Sequence, residues 1–361
     1  MAVTSLNRTP LYTIILPVLG IVAYLVIGNA GLSLFGLILA IVLLGNVMAA
    51  VYHAEIVALR VGEPYGAIVL ALAVTVIEVG LIVAIMLGGK SNPTLMRDSI
   101  HAVVMLVLHG LAGLCIVVAT FRHREAEFRV QGVNAYLGVL IPMAMLVMVV
   151  PNYVVSAPGP FYSPVQLAFV SLVCLGLYAA FLFIQTGWHR AYFLPVGDDD
   201  DNGTPHERPG KKIALTSLGL LIVALLSVVL LAKAIAPALE EGVLAIGAPL
   251  TLVGVIIAAI VLLPESVAAV RAAAANRLQS SLNLALGSAV ASIGLTVPVI
   301  DLISYWTDQP QELGISPNSS VLMMLGFMVA IITYGTGRTN LLSGIVHLVL
   351  LATYIFTIFA P

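Results

Sequence analysis

The chain has 361 residues, of which 61% are hydrophobic and only 9% charged. Soluble domains carry about 25% charged residues, so an ordinary cytosolic enzyme, a nucleic-acid binder and a disordered protein are all excluded. A formal charge of −2 is too small to hold a polyelectrolyte partner such as a nucleic acid.

A membrane span takes about 20 apolar residues to cross about 30 Å of hydrocarbon. In chain order, uncharged runs of that kind predict eleven spans, at 11–28, 31–52, 64–88, 98–121, 132–154, 163–188, 213–236, 244–266, 279–303, 319–336 and 339–359. All read as helices, because the alternating ten-residue strands of a barrel are absent and lipid admits only helices or closed barrels. The expected fold class is therefore an all-α polytopic membrane protein with eleven transmembrane helices. The first span does not read as a cleaved signal peptide: Arg8 is a thin positive start, no small-residue cleavage site follows, and a second span lies close behind. Cys115 and Cys174 both lie in apolar runs and are too few for a disulfide framework or a thiolate metal site.

Eleven alternating spans sort the basic residues onto two sides. One side receives Arg8, Arg60, Arg122, Arg124, Arg129, Arg190, Arg208, Lys211, Lys212, Arg271, Arg277 and Arg338, which is 12 of the 15. The other receives Lys90, Arg97 and Lys233, which is 3. Cytoplasmic loops carry the excess, so the N-terminus is expected in the cytoplasm and the C-terminus outside. A missed span would swap every later loop and blur that split. The polar segment after span six, with Asp198 to Asp201, then reads as a cytoplasmic acidic linker over 189–212. Its four consecutive acids lack the ligand pattern of an EF-hand loop.

The two halves share a pattern. Glu55, Gly62, Pro64 and Glu78 in the first are matched by Glu240, Gly247, Pro249 and Glu265 in the second. Glu to Pro is nine residues in both, and Pro to the second Glu is 14 and 16. By the charge-derived topology, the Glu78 span runs outward and the Glu265 span inward. The expected organisation is thus an extra N-terminal helix at 1–30, a first repeat at 31–188, the linker at 189–212, and an inverted second five-helix repeat at 213–361. Inverted repeats are a transporter architecture with sites near the membrane midplane.

Glu78 lies mid-span, where a charge costs roughly 2.5–3.5 kcal/mol on insertion scales. It persists there by facing a cavity, pairing or carrying a proton. Glu265 follows Pro264, whose missing N–H can leave a carbonyl exposed beside the carboxylate. Hard cations such as calcium want such oxygens. Thr75 stands one turn before Glu78. Asn283, Gly287, Ser288 and Ser292 give span nine a polar, closely packing face, though small residues also serve plain helix packing. His109, inside span four, is a candidate proton relay or a helix–helix hydrogen-bonder. Glu55 and Glu240 are candidates for lining ion-entry routes at opposite faces.

The stretches HAEIVALRVGEPYGAIVLALAVTVIEVGL, from His53, and LLPESVAAVRAAAANRLQSSLNLALGSAVASIGLTVPV, from Leu262, together resemble the bacterial ChaA-type calcium:proton antiporters of the cation/calcium exchanger superfamily. The resemblance extends over nearly the whole chain. It implies ten core helices in two inverted five-helix repeats, a bacterial inner membrane, and cation export driven by inward proton flow. It places the two signature acids on Glu78 and Glu265 and the polar face on Asn283, Gly287 and Ser288. Where related calcium exchangers carry Gly-Asn-Ala ahead of the acid, this chain has Val-Ile-Glu and Leu-Pro-Glu, which removes an amide near each carboxylate. The expected partners are calcium, or else sodium or potassium, together with protons and the lipid bilayer, with no nucleic acid and no organic cofactor. An intramembrane enzyme is disfavoured, since HExxH and Gly-x-Ser-x-Gly are both absent. A passive channel is disfavoured because channels build selectivity from symmetric rings.

Overall fold

The computed structural model describes residues 10–28, 33–62, 65–88, 94–195, 209–307 and 311–360. Arg8, Pro64, Lys90, Arg208 and the Asp198–Asp201 run lie outside the described residues. Within them, ten helices are long and apolar enough to cross a membrane, and the 17-residue helix Leu11–Ile27 is apolar but shorter. The protein is an all-α polytopic membrane protein, and its helices fall where the apolar runs predict. Four extend past those runs. The second continues through Glu55 and Arg60, the fourth starts before Arg97, the seventh continues through Lys233 and Glu240, and the eighth, starting at Thr251, continues through Arg271. Charge ends a hydrophobic run but not a helix, because Lys, Arg and Glu are good helix formers.

The chain divides into two units, Met1–Asn92 with Asn202–Val253, and Pro93–Asp201 with Gly254–Pro361. The first holds α1 (Leu11–Ile27), α2 (Leu34–Val61), α3 (Tyr65–Gly88) and α8 (Lys211–Ala245). Here α8 packs on α1, α2 and α3, while α2 also packs on α1 and α3. The buried stripe of α2 runs Leu39, Leu43, Asn46, Val47, Ala50, His53 and Ala54, the spacing of one helix face. A side chain at Gly20 would stand 2.0 Å from Ser227 Oγ and 2.7 Å from Asn46 Nδ2, so only glycine lets the three helices meet there. His53 Nε2 lies 3.0 Å from the Thr13 carbonyl and ties α2 to α1.

The second unit holds α4 (Leu95–Met105), a π-helical turn (Leu106–Leu111), α5 (Ala112–His123), α6 (Val130–Met148), α7 (Pro164–Phe183), α9 (Thr251–Ala274, from Gly254 onward), α10 (Leu278–Thr307), α11 (Pro317–Tyr334) and α12 (Leu341–Phe359). Its centre is α10, which packs on α4, α5, α6 and α7. Leu282, Ala285, Leu286, Ala289, Val290, Ile293 and Val297 are all wholly buried on it.

The loops of this unit gather at two ends. At one, Ile315 N donates to the Met148 carbonyl at 2.9 Å, Gly314 N to Pro160 at 3.1 Å, and Asn152 Nδ2 to Ile315 at 2.8 Å. At the other, strands β1 (Glu125–Glu127) and β2 (Arg338–Asn340) pair antiparallel, and Phe128 N donates to the Gly337 carbonyl at 3.0 Å. Arg129 Nε reaches the Leu194 carbonyl there at 3.0 Å. The α6–α7 and α10–α11 connections thus share one end, and the α5–α6 and α11–α12 connections share the other with the segment 189–195. Within this unit the helices therefore alternate in direction, as consecutive membrane spans must. Among the described residues of this unit, Arg124, Arg129, Arg190 and Arg338 lie at the second end and Arg97 at the first.

Candidate functional site

In the first unit Glu78 sits at the middle of α3 and is 1% exposed. Its neighbours along the helix, Ile77, Val79, Leu81 and Ile82, are buried as well. Thr75, one turn earlier and also buried, returns its hydroxyl to the Ala71 carbonyl at 2.9 Å. This back-bond satisfies the hydroxyl and leaves its oxygen lone pairs available. Gly80 lets α3 approach α8, since a Cβ there would lie 2.7 Å from Val229 Cγ2. Of the two flanking acids, Glu240 is buried on α8, whereas Glu55 is exposed on α2.

In the second unit Glu265 is half-buried in the middle of α9, directly after Pro264, which lies inside a continuous helix. The polar residues of α10 divide into two groups. Asn283 donates from Nδ2 to the Phe193 carbonyl at 2.6 Å and accepts on Oδ1 from Gln279 Nε2 at 2.8 Å. Gln279 in turn accepts from the Arg129 backbone N–H at 2.6 Å. These bonds pin α10 to the loops at the basic end of the unit. Ser288 and Ser292 lie one turn apart further along, half-buried and buried respectively. The wholly buried Thr296 extends that hydroxyl row by another turn. Sequence reasoning passed over Thr296, although a period of four from Ser288 points to it. Gly287 offers a flat contact to Tyr136, whose ring would lie 3.5 Å from an added Cβ.

His109 is wholly buried on the π-helical turn. Its Nδ1 lies 2.9 Å from Nδ1 of His347 on α12, and the rings stack with centroids 5.0 Å apart. His347 Nε2 lies 3.1 Å from Thr333 Oγ1 on α11. At the opposite end of the unit, Arg97 Nε donates to Asp98 at 2.9 Å, while Nη1 donates to Glu312 and to the Gly314 carbonyl. Arg97, Glu312 and Gly314 edge a basin of about 510 Å³ that Asn152, Pro160 and Ser316 also line. His347, Thr333, Asp98 and Glu312 carry no local motif, so the sequence did not single them out. Among the described residues, no three His, Cys, Asp or Glu side chains cluster as a metal site. A hard cation held by these residues would draw most of its six to eight oxygens from hydroxyls, amides and carbonyls.

The family model described as sodium/calcium exchanger protein matches residues 11–187 and 216–360. The y4hA protein of Sinorhizobium fredii is 46% identical over 321 residues, covering 88% of this chain and 85% of that one. The sodium-potassium/proton antiporter ChaA of Escherichia coli is 34% identical over 354 residues, covering 96% of each. Among solved structures, the Ca2+/H+ antiporter YfkE matches with a TM-score of 0.73 at 17% identity, over 97% of this chain and 99% of that one.

Proposed function

Because the chain belongs to the sodium/calcium exchanger protein family, matched over most of its length, we propose that it exports calcium in exchange for protons through a paired-glutamate site. It is a secondary transporter and not an enzyme. The observation that carries the reading is the placement of Glu78, 1% exposed at the centre of an apolar helix. Glu265 occupies the centre of α9 in the other half of the chain.

Two carboxylates neutralise one divalent ion. When the ion leaves, burial penalises the bare charges and protons take their place. A doubly charged empty site is costly to carry through the low-dielectric middle, so only the ion-loaded and proton-loaded forms change sides. Thr75, Gly287, Ser288 and Ser292 are assigned to the polar surroundings of the two acids, and Glu55 and Glu240 to the approaches. Asn283, whose amide is engaged by the Phe193 carbonyl and by Gln279, is assigned to anchoring α10 and not to the cation.

Two inverted repeats, 31–188 and 213–361, with 1–30 as an extra helix, remain the organisation we favour. The equivalent glycines support it: Gly62 and Gly247, each seven residues after its Glu, both take positive φ, +78° and +72°, where α2 and α8 end. We place the chain in a bacterial inner membrane, with its N-terminus cytoplasmic and its C-terminus outside, on the distribution of its basic residues. ChaA favours a second reading, since that relative is named for sodium, potassium and protons, and the same site and cycle then serve monovalent ions.

Everted vesicles, acidified inside and followed with a pH dye, separate the readings. Dequenching by micromolar calcium, lost in both Glu78→Gln and Glu265→Gln, is expected. Dequenching by sodium or potassium alone moves the function to monovalent export. Normal calcium transport by Glu78→Gln would rule out the paired-carboxylate site.

A further inference from the structure

The second unit contains a chain of hydrogen-bonding groups that the paired-carboxylate cycle does not use. It runs from His109 through His347 to Thr333. Its geometry is enforced by small residues. Gly113 and Gly344 let α5 and α12 cross closely, since a Cβ on Gly113 would meet His347 Cβ at 2.8 Å and one on Gly344 would meet the Gly113 carbonyl at 3.0 Å. Gly326 of α11 opens room for the His109 ring, because a Cβ there would lie 2.2 Å from Nε2. His109 Nε2 is buried with no hydrogen-bond partner among the described residues. The π-helical turn that carries His109 adds a residue to the helical repeat, an irregularity that recurs at functional sites.

Two Nδ1 atoms 2.9 Å apart share one hydrogen. One ring donates and the other accepts, and a second proton between them has no room. The remaining nitrogens then differ: His347 Nε2 faces the Thr333 hydroxyl, and His109 Nε2 stands unmatched.

We propose that His109, His347 and Thr333 form a proton relay for antiport, distinct from the cation's own ligands; this rests on the antiport reading above. A proton arriving at His109 Nε2 forms an N–H there. The Nδ1 proton of His109 passes to His347 Nδ1, the Nε2 proton of His347 passes to Thr333 Oγ, and the hydroxyl proton leaves Thr333. One proton enters, one leaves, and no bond other than N–H and O–H changes. His109 is the fifteenth residue of the 27-residue span Leu95–Phe121, whereas Thr333 is next to last in α11. The relay therefore leads from mid-membrane toward the end of the unit where β1 pairs with β2. Tyr334, its ring 5.8 Å from that of His347, is the titratable neighbour on α11. His101 pairs separately with Tyr354, ring centroids 5.0 Å apart.

The test uses the full-length protein in liposomes with a trapped pH dye. Proton-coupled uptake of 45Ca2+ or 22Na+ is compared with self-exchange of the same ion at equal pH. His347→Gln and Thr333→Val are expected to slow coupled uptake at least tenfold and leave self-exchange within twofold. Thr333→Ser is expected to restore coupling, because the serine hydroxyl still relays. Wild-type coupling in both His347→Gln and Thr333→Val overturns the relay and leaves the antiport reading standing. Parallel loss of both fluxes in Thr333→Val, with no rescue by serine, also overturns it, as the mark of a purely structural contact. Absence of any proton flux in the wild type on addition of calcium, sodium or potassium overturns the antiport reading and the relay with it.

Discussion

Asn283 spends both ends of its amide on the protein itself, donating to the Phe193 carbonyl at 2.6 Å and accepting from Gln279 at 2.8 Å. Through Gln279 the same chain reaches the Arg129 backbone N–H. One amide thereby joins α10 to two separate loops, 189–195 and 124–129.

Asn283→Ala should accordingly read as a stability variant. It leaves a carbonyl and a glutamine short of a partner, at a cost of about 1–3 kcal/mol. The expected outcome is a melting temperature lowered by a few degrees in detergent, with the KM for the transported cation within twofold of wild type. A tenfold rise in KM at unchanged melting temperature would instead make the Asn283 oxygen a cation ligand.

Arg97 presents a different balance. It is the one basic residue of the second unit outside the basic end, and it holds Asp98, Glu312 and the Gly314 carbonyl together. Its side chain is 15% exposed and those of Asp98 and Glu312 are 5% and 26%, so salt screens the contacts less than it would at an open surface. Arg97→Ala sets two carboxylates side by side with no cation between them. It should destabilise by about 1.5–3 kcal/mol, the range for charged hydrogen bonds. Glu312→Gln should cost less, and the double variant Arg97→Ala/Glu312→Gln should cost less than the sum of the two. Thermal unfolding of the four proteins measures that coupling, and strict additivity would remove the ion pair as a fastener of the segment 311–316.

Much of this architecture is written in hydropathy. A helix facing lipid must be apolar along its length, so each of the eleven uncharged runs falls on a helix, although α2 and α8 end nine residues beyond their runs and α9 is displaced by seven or eight. The same physics picked out Glu78, because a carboxylate in an apolar run is conspicuous. What escaped were partnerships between distant positions. His347 lies 238 residues from His109, and neither its spacing nor its neighbours announce the pairing. Asp98 and Arg97 looked like the border of a span, yet Asp98 is buried against α9, where Gly254 has room for no side chain: a Cβ there would lie 2.8 Å from Ser99 N. Asn283 was legible as a polar group on a helix face. Its employment by the Phe193 carbonyl was not, because that loop has no periodic signal.

The orientation of the chain can be tested from its exposed loops. Ser156, between α6 and α7, and Thr336, between α11 and α12, are both exposed and sit at opposite ends of the second unit. Both native cysteines, Cys115 and Cys174, are buried, so background thiol labelling should be low. If the 12 basic residues mark the cytoplasmic side, Ser156→Cys should react with an impermeant maleimide added to the outer face of the inner membrane. Thr336→Cys should react only after permeabilisation, or in everted vesicles. Transport in each variant should match the wild type, since neither residue touches Glu78, Glu265 or the histidine pair. The reversed labelling pattern would invert the chain, and the His109–Thr333 relay would then open to the outside. Labelling of both cysteines from one side would contradict the alternation of helices that the loop hydrogen bonds of the second unit require.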